Sequence, residues 1–218
     1  MQIYSLMVSD IPVFQITDSM TDVVDFFKEN TYSHIAVQEN ESFLGVLSEN
    51  DLDSFDTHKI IEDYRYDLDT FFVRKETSWL DVLEAFARNE ANLVPVIDEQ
   101  ARVLGYYDLT DIVSVFIDTP FFTEPGGIIV LAKGIKDYSF SEIAQIVESN
   151  NTKLIGGFIT DSKNDVIQIT IKIASSNLNE ILQTFRRYNY TILFGNTDDQ
   201  FLEDLKERSD YLDKYLNV

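Results

Sequence analysis

Apolar and polar positions in the first 118 residues follow one outline twice. Within "DSMTDVVDFFKEN", Val23, Val24, Phe26 and Phe27 fall at helical spacing, and Val82, Leu83, Ala85 and Phe86 answer them within "TSWLDVLEAFARN". An apolar stretch precedes each helix, "IPVFQI" in the first case and "TFFVRK" in the second. Two short apolar runs follow each, "HIAV" with "FLGVL" and "LVPVI" with "VLGYY", parted by polar residues that suit hairpin turns. A second helix is expected where each last run ends, at "SENDL" and "DLTDI". Each unit therefore reads β-α-β-β-α. Ser19 and Ser78 stand three residues before Asp22 and Asp81, which predicts a cap at the start of each first helix.

The two outlines share a register. A constant offset of 59 pairs Ser19 with Ser78, Phe27 with Phe86, Asn30 with Asn89 and Val37 with Val96. One added residue within "IDEQARVLG" moves the offset to 60, which pairs Gly45 with Gly105 and Asp51 with Asp111. A hairpin absorbs such an insertion easily, so the first half is an internal duplication.

Beyond residue 125 the pattern changes. "GIIVLAKG", the helical "SFSEIAQIVESN", "KLIGGFIT" and "VIQITIKI" joined by the turn "DSKND", a helix around "NLNEILQTFRRY" and a closing "TILF" give β-α-β-β-α-β. That is the order of a ferredoxin-like sheet with helices on one face. In the last segment Phe201, Leu205, Leu212, Tyr215 and Leu216 share one approximate helical face, predicting an amphipathic C-terminal helix. It would dock on its own domain or reach a second subunit or a client protein.

Charge sharpens the division. The chain of 218 residues carries 17 Lys and Arg against 38 Asp and Glu, a net −21. Residues 1–118 hold 24 acidic and 7 basic side chains, a net −17, and the remainder only −4. The break falls beside "DTPFFTEPGG", where two prolines and a glycine pair punctuate the chain. A nucleic-acid backbone or an anionic membrane surface would be repelled by such a balance. Neither is expected as a partner.

Catalytic chemistry finds little material. There is no cysteine and only two histidines, no serine lies near a suitable base, and neither a Walker loop nor GxGxxG is present. "DSKND" lacks the glycine and distant glutamate of a calcium loop. No catalytic residue and no metal ligand is assigned, and an enzyme is not expected. The start lacks a basic region followed by an apolar core, and no stretch approaches eighteen apolar residues, so a cytoplasmic protein is expected.

The element order, the segments "SHIAV" and "NLVPV" and the Gly-to-Asp spacing together resemble a tandem pair of cystathionine-beta-synthase (CBS) domains over residues 1 to 118. The resemblance implies two sheets packed together with two clefts between the copies, which in such pairs often hold adenosine-containing ligands. An ionised Asp at the start of the final helix can accept from both ribose hydroxyls. Nucleotide-binding members carry Ser or Thr three residues earlier, where the hydroxyl and nearby N–H groups face phosphate. Ser48 and Asp51 satisfy this in the first copy, with Ile35 and Ala36 beside the base and His34 beside the cleft. In the second copy Asp108 replaces the hydroxyl residue, and two carboxylates, Asp108 and Asp111, would oppose a phosphate. Both Asp51 and Asp111 could equally be helix N-caps.

Residues 126 to 195 resemble an ACT domain by order of elements. That implies pairing across subunits and amino-acid binding at the first strand-to-helix loop. The glycine usual there is absent from "KDYSFSEI", so pairing is the expected role. The whole combination resembles the acetoin-utilisation regulatory protein family. The expected fold is α+β: CBS repeat 1 over 1–59, CBS repeat 2 over 60–118, an ACT-like domain over 126–195 and a C-terminal helix over 196–218. The expected function is non-catalytic regulation, in which the CBS pair senses an adenine nucleotide or S-adenosylmethionine, with or without magnesium, in a homodimer. A ligand-free scaffold and a divalent-cation sensor are the other two readings.

Overall fold

The computed structural model describes residues 3–174 and 178–195. The predicted C-terminal helix of residues 196–218 lies outside the described residues. Contacts divide the chain into a first unit ending at Phe116 and a second beginning at Ile117. No helix among the described residues is long and apolar enough to cross a membrane.

In the first copy, β1 (Phe14–Gln15), α1 (Met20–Glu29), β2 (His34–Glu39) and β3 (Ser42–Ser48) form a three-stranded sheet packed on its helix. In the second, β4 (Val73–Arg74), α2 (Trp79–Arg88), β5 (Leu93–Ile97), β6 (Val103–Asp108) and α3 (Leu109–Ile117) repeat it. The predicted capping serines act as such: Ser19 Oγ accepts from Thr21 N and Ser78 Oγ from Asp81 N. Each helix then buries its apolar stripe, Val23 and Phe27 in one and Val82 and Phe86 in the other.

Register repeats as well as order. Phe14 pairs with Val37 in parallel, as Val73 does with Val96, an offset of 59 in both strands. A bulge follows Val37 opposite Gly45 and another follows Val96 opposite Gly105. The extra residue of the second copy sits in its hairpin. Asn40 and Glu41, both at positive φ, make a two-residue turn between β2 and β3. Residues 98–102 make the longer connection, closed by Asp98, whose carboxylate accepts from the N–H groups of Gln100 and Arg102.

One element departs from expectation. The second copy ends in the helix α3, but the first ends in a six-residue 3₁₀ turn, Glu49–Ser54. Residues 52–57, "LDSFDT", offer two apolar side chains where the equivalent stretch of α3, "IVSVFI", offers five, so the apolar stripe that extends α3 is missing.

The copies exchange arms. Val8, ahead of the first copy, makes a two-bond bridge to Tyr106 on β6, and Asp69, ahead of the second, makes one to Val46 on β3. Tyr106 and Val46 are equivalent positions at offset 60. These bridges explain the paired glycines: a Cβ on Gly105 would lie 2.5 Å from Val8 O, and one on Gly45 would lie 2.7 Å from Asp69 O. Ser33 and Asn92, equivalent at offset 59, bond each other reciprocally. Ser33 N donates to Asn92 Oδ1 and Asn92 N donates to Ser33 Oγ, both at 2.8 Å. Equivalent residues meet in this way only beside the twofold axis that relates their copies.

The second unit opens with the short α4 (Pro120–Thr123) and continues through β7 (Gly126–Gly134), α5 (Phe140–Ser149), β8 (Leu154–Lys163), β9 (Val166–Ala174), α6 (Leu178–Arg187) and β10 (Thr191–Phe194). The strands run in the order β10-β7-β9-β8, all antiparallel, which is the ferredoxin-like arrangement. Alternate residues of β9, Ile167, Ile169, Ile171 and Ile173, meet Ile143 and Val147 of α5 and Phe185 of α6 in one core. "DSKND" makes the β8–β9 turn, with Asn164 and Asp165 at positive φ.

Candidate functional site: the two Gly-to-Asp turns

Strand pairing places His34 directly opposite Ser48, and by the same register Leu93 opposite Asp108. Each of these pairs stands where a sheet meets its closing turn. Glu49 N donates to Ser33 O at 2.8 Å and Leu109 N donates to Asn92 O at 3.0 Å. Both turns are thereby tied to the Ser33–Asn92 clasp. One hydrogen-bonded path joins the two sites through the axis.

In the first turn the capping duty falls to Ser48, whose Oγ accepts from Asn50 N at 3.2 Å. Asp51 follows inside the turn, exposed, and its carboxylate has no hydrogen bond or ion pair among the described residues. It is therefore not the N-cap, and both its oxygens are free to accept. In the second turn the cap is Asp108, whose Oδ1 accepts from Thr110 N at 2.7 Å. That gives a physical reason for an acid at this position: Asp and Ser cap a helix about equally well.

The walls differ more than the turns. His34 is 5% exposed, with Nδ1 2.8 Å from Ser33 Oγ and its ring set edge-on to Phe71 at 5.0 Å between centroids. Ser33 Oγ also accepts from Asn92 N, so one hydroxyl joins the histidine ring to the second copy. Burial pushes the His34 pKa down, while the carboxylates of Asp69 and Asp51 push the other way and do not prevail. Burial thus favours the neutral ring. Around the second turn Tyr32 is held above its usual range by burial and then by Asp108, Asp10 and Asp111.

Ile35 and Ala36 are fully buried. Ala36 N–H is already given to Tyr106 Oη at 3.2 Å, and Tyr106 Oη in turn donates to Pro12 O at 2.7 Å. The structure thus brings His34, Ser48 and Asp51 to one site, with Ile35 and Ala36 behind it. Sequence reasoning missed Phe71 and Asp69, which arrive from the exchanged arm; Asp69 answers Asp10 at the offset of 59, whereas Phe71 answers Pro12 and carries no repeat signal. It also missed Ser33 and Asn92, although their equal register was visible. Among the described residues no cluster of three or more His, Asp or Glu is placed to hold a metal ion.

In the second unit, the polar groups at the first strand-to-helix loop are spent on one another. Lys133 Nζ lies 2.7 Å from Glu142 Oε2 and 4.0 Å from the centroid of the Tyr190 ring.

No curated protein matches the chain. Among solved structures it is similar to a CBS domain pair/ACT domain protein from Thermotoga maritima, with 21% identity and a TM-score of 0.49, covering 54% of this chain and 98% of that one. It is also similar to the CBS domains of a transcriptional regulator from Streptococcus pneumoniae, at 18% and 0.47 over 52% and 98% of the two chains. A third is CBSX2 in complex with AMP, at 19% and 0.45 over 53% and 96%. The family model for the CBS domain matches residues 3–56 and again residues 62–118, together just over half of the sequence and one match for each copy of the duplicated unit. The chain belongs to the CBS domain family.

Proposed function

We propose that the protein is a non-catalytic regulator whose first Gly-to-Asp turn holds the ribose of an adenosine-containing ligand. The observation that carries this reading is the Asp51 carboxylate, left uncommitted because Ser48 performs the capping. Its two oxygens accept from the vicinal ribose hydroxyls. Ser48 and the N–H groups of the turn face the next group of the ligand, His34 and Phe71 form a neutral wall beside the sugar and base, and Ile35 and Ala36 hold the strand behind. The second turn takes no phosphate-bearing ligand, because Asp108 caps it where the first copy has a hydroxyl residue and Asp111 follows three residues later, two carboxylates that oppose a phosphate. With −17 on residues 1–118, the reading favours a zwitterionic ligand such as S-adenosylmethionine, a monophosphate, or a nucleotide with magnesium over a bare polyphosphate.

In this proposal repeat 1 spans 1–59, repeat 2 spans 60–118, and the ACT-like domain of 126–195 pairs two chains into a homodimer. That organisation is shared with the acetoin-utilisation regulatory proteins. A ligand that binds one packing of the repeats better than another shifts their balance and alters the surface offered to a client protein.

Thermal melts with AMP, ATP and S-adenosylmethionine, each with and without magnesium, test the site. A ligand at a hundred times its Kd adds about 2.7 kcal/mol of stability. Asp51→Ala removes that gain and Asp111→Ala keeps it. Equal loss from both substitutions, or no gain with any adenosine compound, rejects the reading.

A further inference from the structure

The second copy carries a groove beside its first helix. It lies between the extended run Thr70–Arg74 and the side of α2 that bears Thr77, Asp81, Ala85 and Arg88, and it encloses about 540 Å³. Small-molecule sites fall in the range of about 300–1,000 Å³. Offset 59 shows why the groove is open. The residue equivalent to Ala85 is Phe26, which packs edge-on to Phe14 at 5.8 Å and stacks on Tyr32 at 6.1 Å between centroids. An aromatic plug thus occupies one copy, and a methyl group stands in its place in the other.

The charges change with the plug. Gln15, Asp18, Asp25 and Glu29 of the first copy correspond to Arg74, Thr77, Glu84 and Arg88 of the second. Asp22 and Asp81 are common to both. Four carboxylates and no cation become two carboxylates and two arginines, in a half of the chain that has only seven basic side chains. Glu84 is taken up by Arg88 at 2.8 Å, and Asp81 accepts from Ser78 Oγ. Arg74 has no carboxylate partner among the described residues. One of its nitrogens donates to Asp98 O at 3.2 Å, and the guanidinium lies 5.8 Å from the centroid of the Phe72 ring, which is 40% exposed.

We propose that this groove is a second ligand site that takes a planar aromatic monocarboxylate. The carboxylate meets the Arg74 N–H groups that Asp98 O leaves unused, whose planar geometry matches it. The ring lies along Phe72 in the space Ala85 leaves open. One unpaired arginine in a half of net −17 suits a single negative charge and opposes a dianion.

The test uses the full chain labelled with 15N and titrated with benzoate, benzyl alcohol and benzylamine. Benzoate shifts the backbone amides of Thr77, Ala85 and Asn89 saturably at millimolar concentration, and the alcohol and amine bind at least tenfold more weakly. Ala85→Phe, which restores the plug of the first copy, abolishes the response, and Arg74→Gln weakens it at least tenfold. Asp51→Ala leaves it unchanged, because the groove shares no polar side chain with the Ser48–Asp51 turn. Should Ala85→Phe disturb the fold, the exposed Arg74→Gln decides alone. The proposal is overturned if benzoate moves none of these amides, if the alcohol binds as well as the acid, or if binding survives Arg74→Gln.

Discussion

The two CBS copies share strand register, bulges and capped helices, yet they diverge at their closing turns. The first closes its Gly-to-Asp turn with Ser48 and 3₁₀ geometry, the second with Asp108 and a full helix. A buried histidine stands opposite Ser48 at one turn, and a leucine, Leu93, stands opposite Asp108 at the other. Duplication preserved what packing requires: the glycines under the exchanged arms, the bulges and the serine caps. It left free what only a ligand would read. Differences between equivalent positions are therefore a better guide to function here than the shared motif.

The largest effect expected from breaking the shared frame is at the glycines. Gly105→Ala puts a Cβ 2.5 Å from Val8 O, and Gly45→Ala puts one 2.7 Å from Asp69 O; in neither case is the obstacle a flexible side chain. Each substitution costs about 3 kcal/mol, since the arm has to shift to admit it. The lower midpoint of a urea unfolding curve at unchanged m-value measures this. A loss under about 1 kcal/mol at both positions would mean that the arms do not hold the copies together.

A smaller loss is expected at the axis. Asn92→Ala strips Ser33 N and Thr31 O of their partners and costs about 2 kcal/mol, within the range for half-buried groups left unpaired. A double-mutant cycle with Ser33→Ala gives a coupling energy of at least about 0.5 kcal/mol if the clasp is a single unit. Additive losses would break the inferred link between the turns.

The smallest effect sharpens the contrast between the turns themselves. Asp108→Ser transplants the first copy's cap into the second and leaves stability within about 0.5 kcal/mol, whereas Asp108→Ala costs about 1 kcal/mol. Equal costs for Ser and Ala would show that Asp108 is held for a reason other than capping.

The amino-acid sequence by itself determined the duplication, the α+β class and the order of strands and first helices in both halves. These follow from local periodicity and, in the first half, from a constant register, which the strand pairs of the two CBS copies obey. What only the tertiary structure decided are the contacts between residues far apart in the chain. Tyr106 of one copy takes the N–H of Ala36 in the other, Phe71 arrives from an exchanged arm to face His34, and Ser33 grips its own counterpart Asn92. The closing turn of the first copy also became 3₁₀ rather than α-helical, because helix length depends on an apolar face having something to pack against. Periodicity specifies which face of an element is buried. Which partner covers that face, and which polar atoms are left over for a ligand, depends on the packing of whole elements against one another.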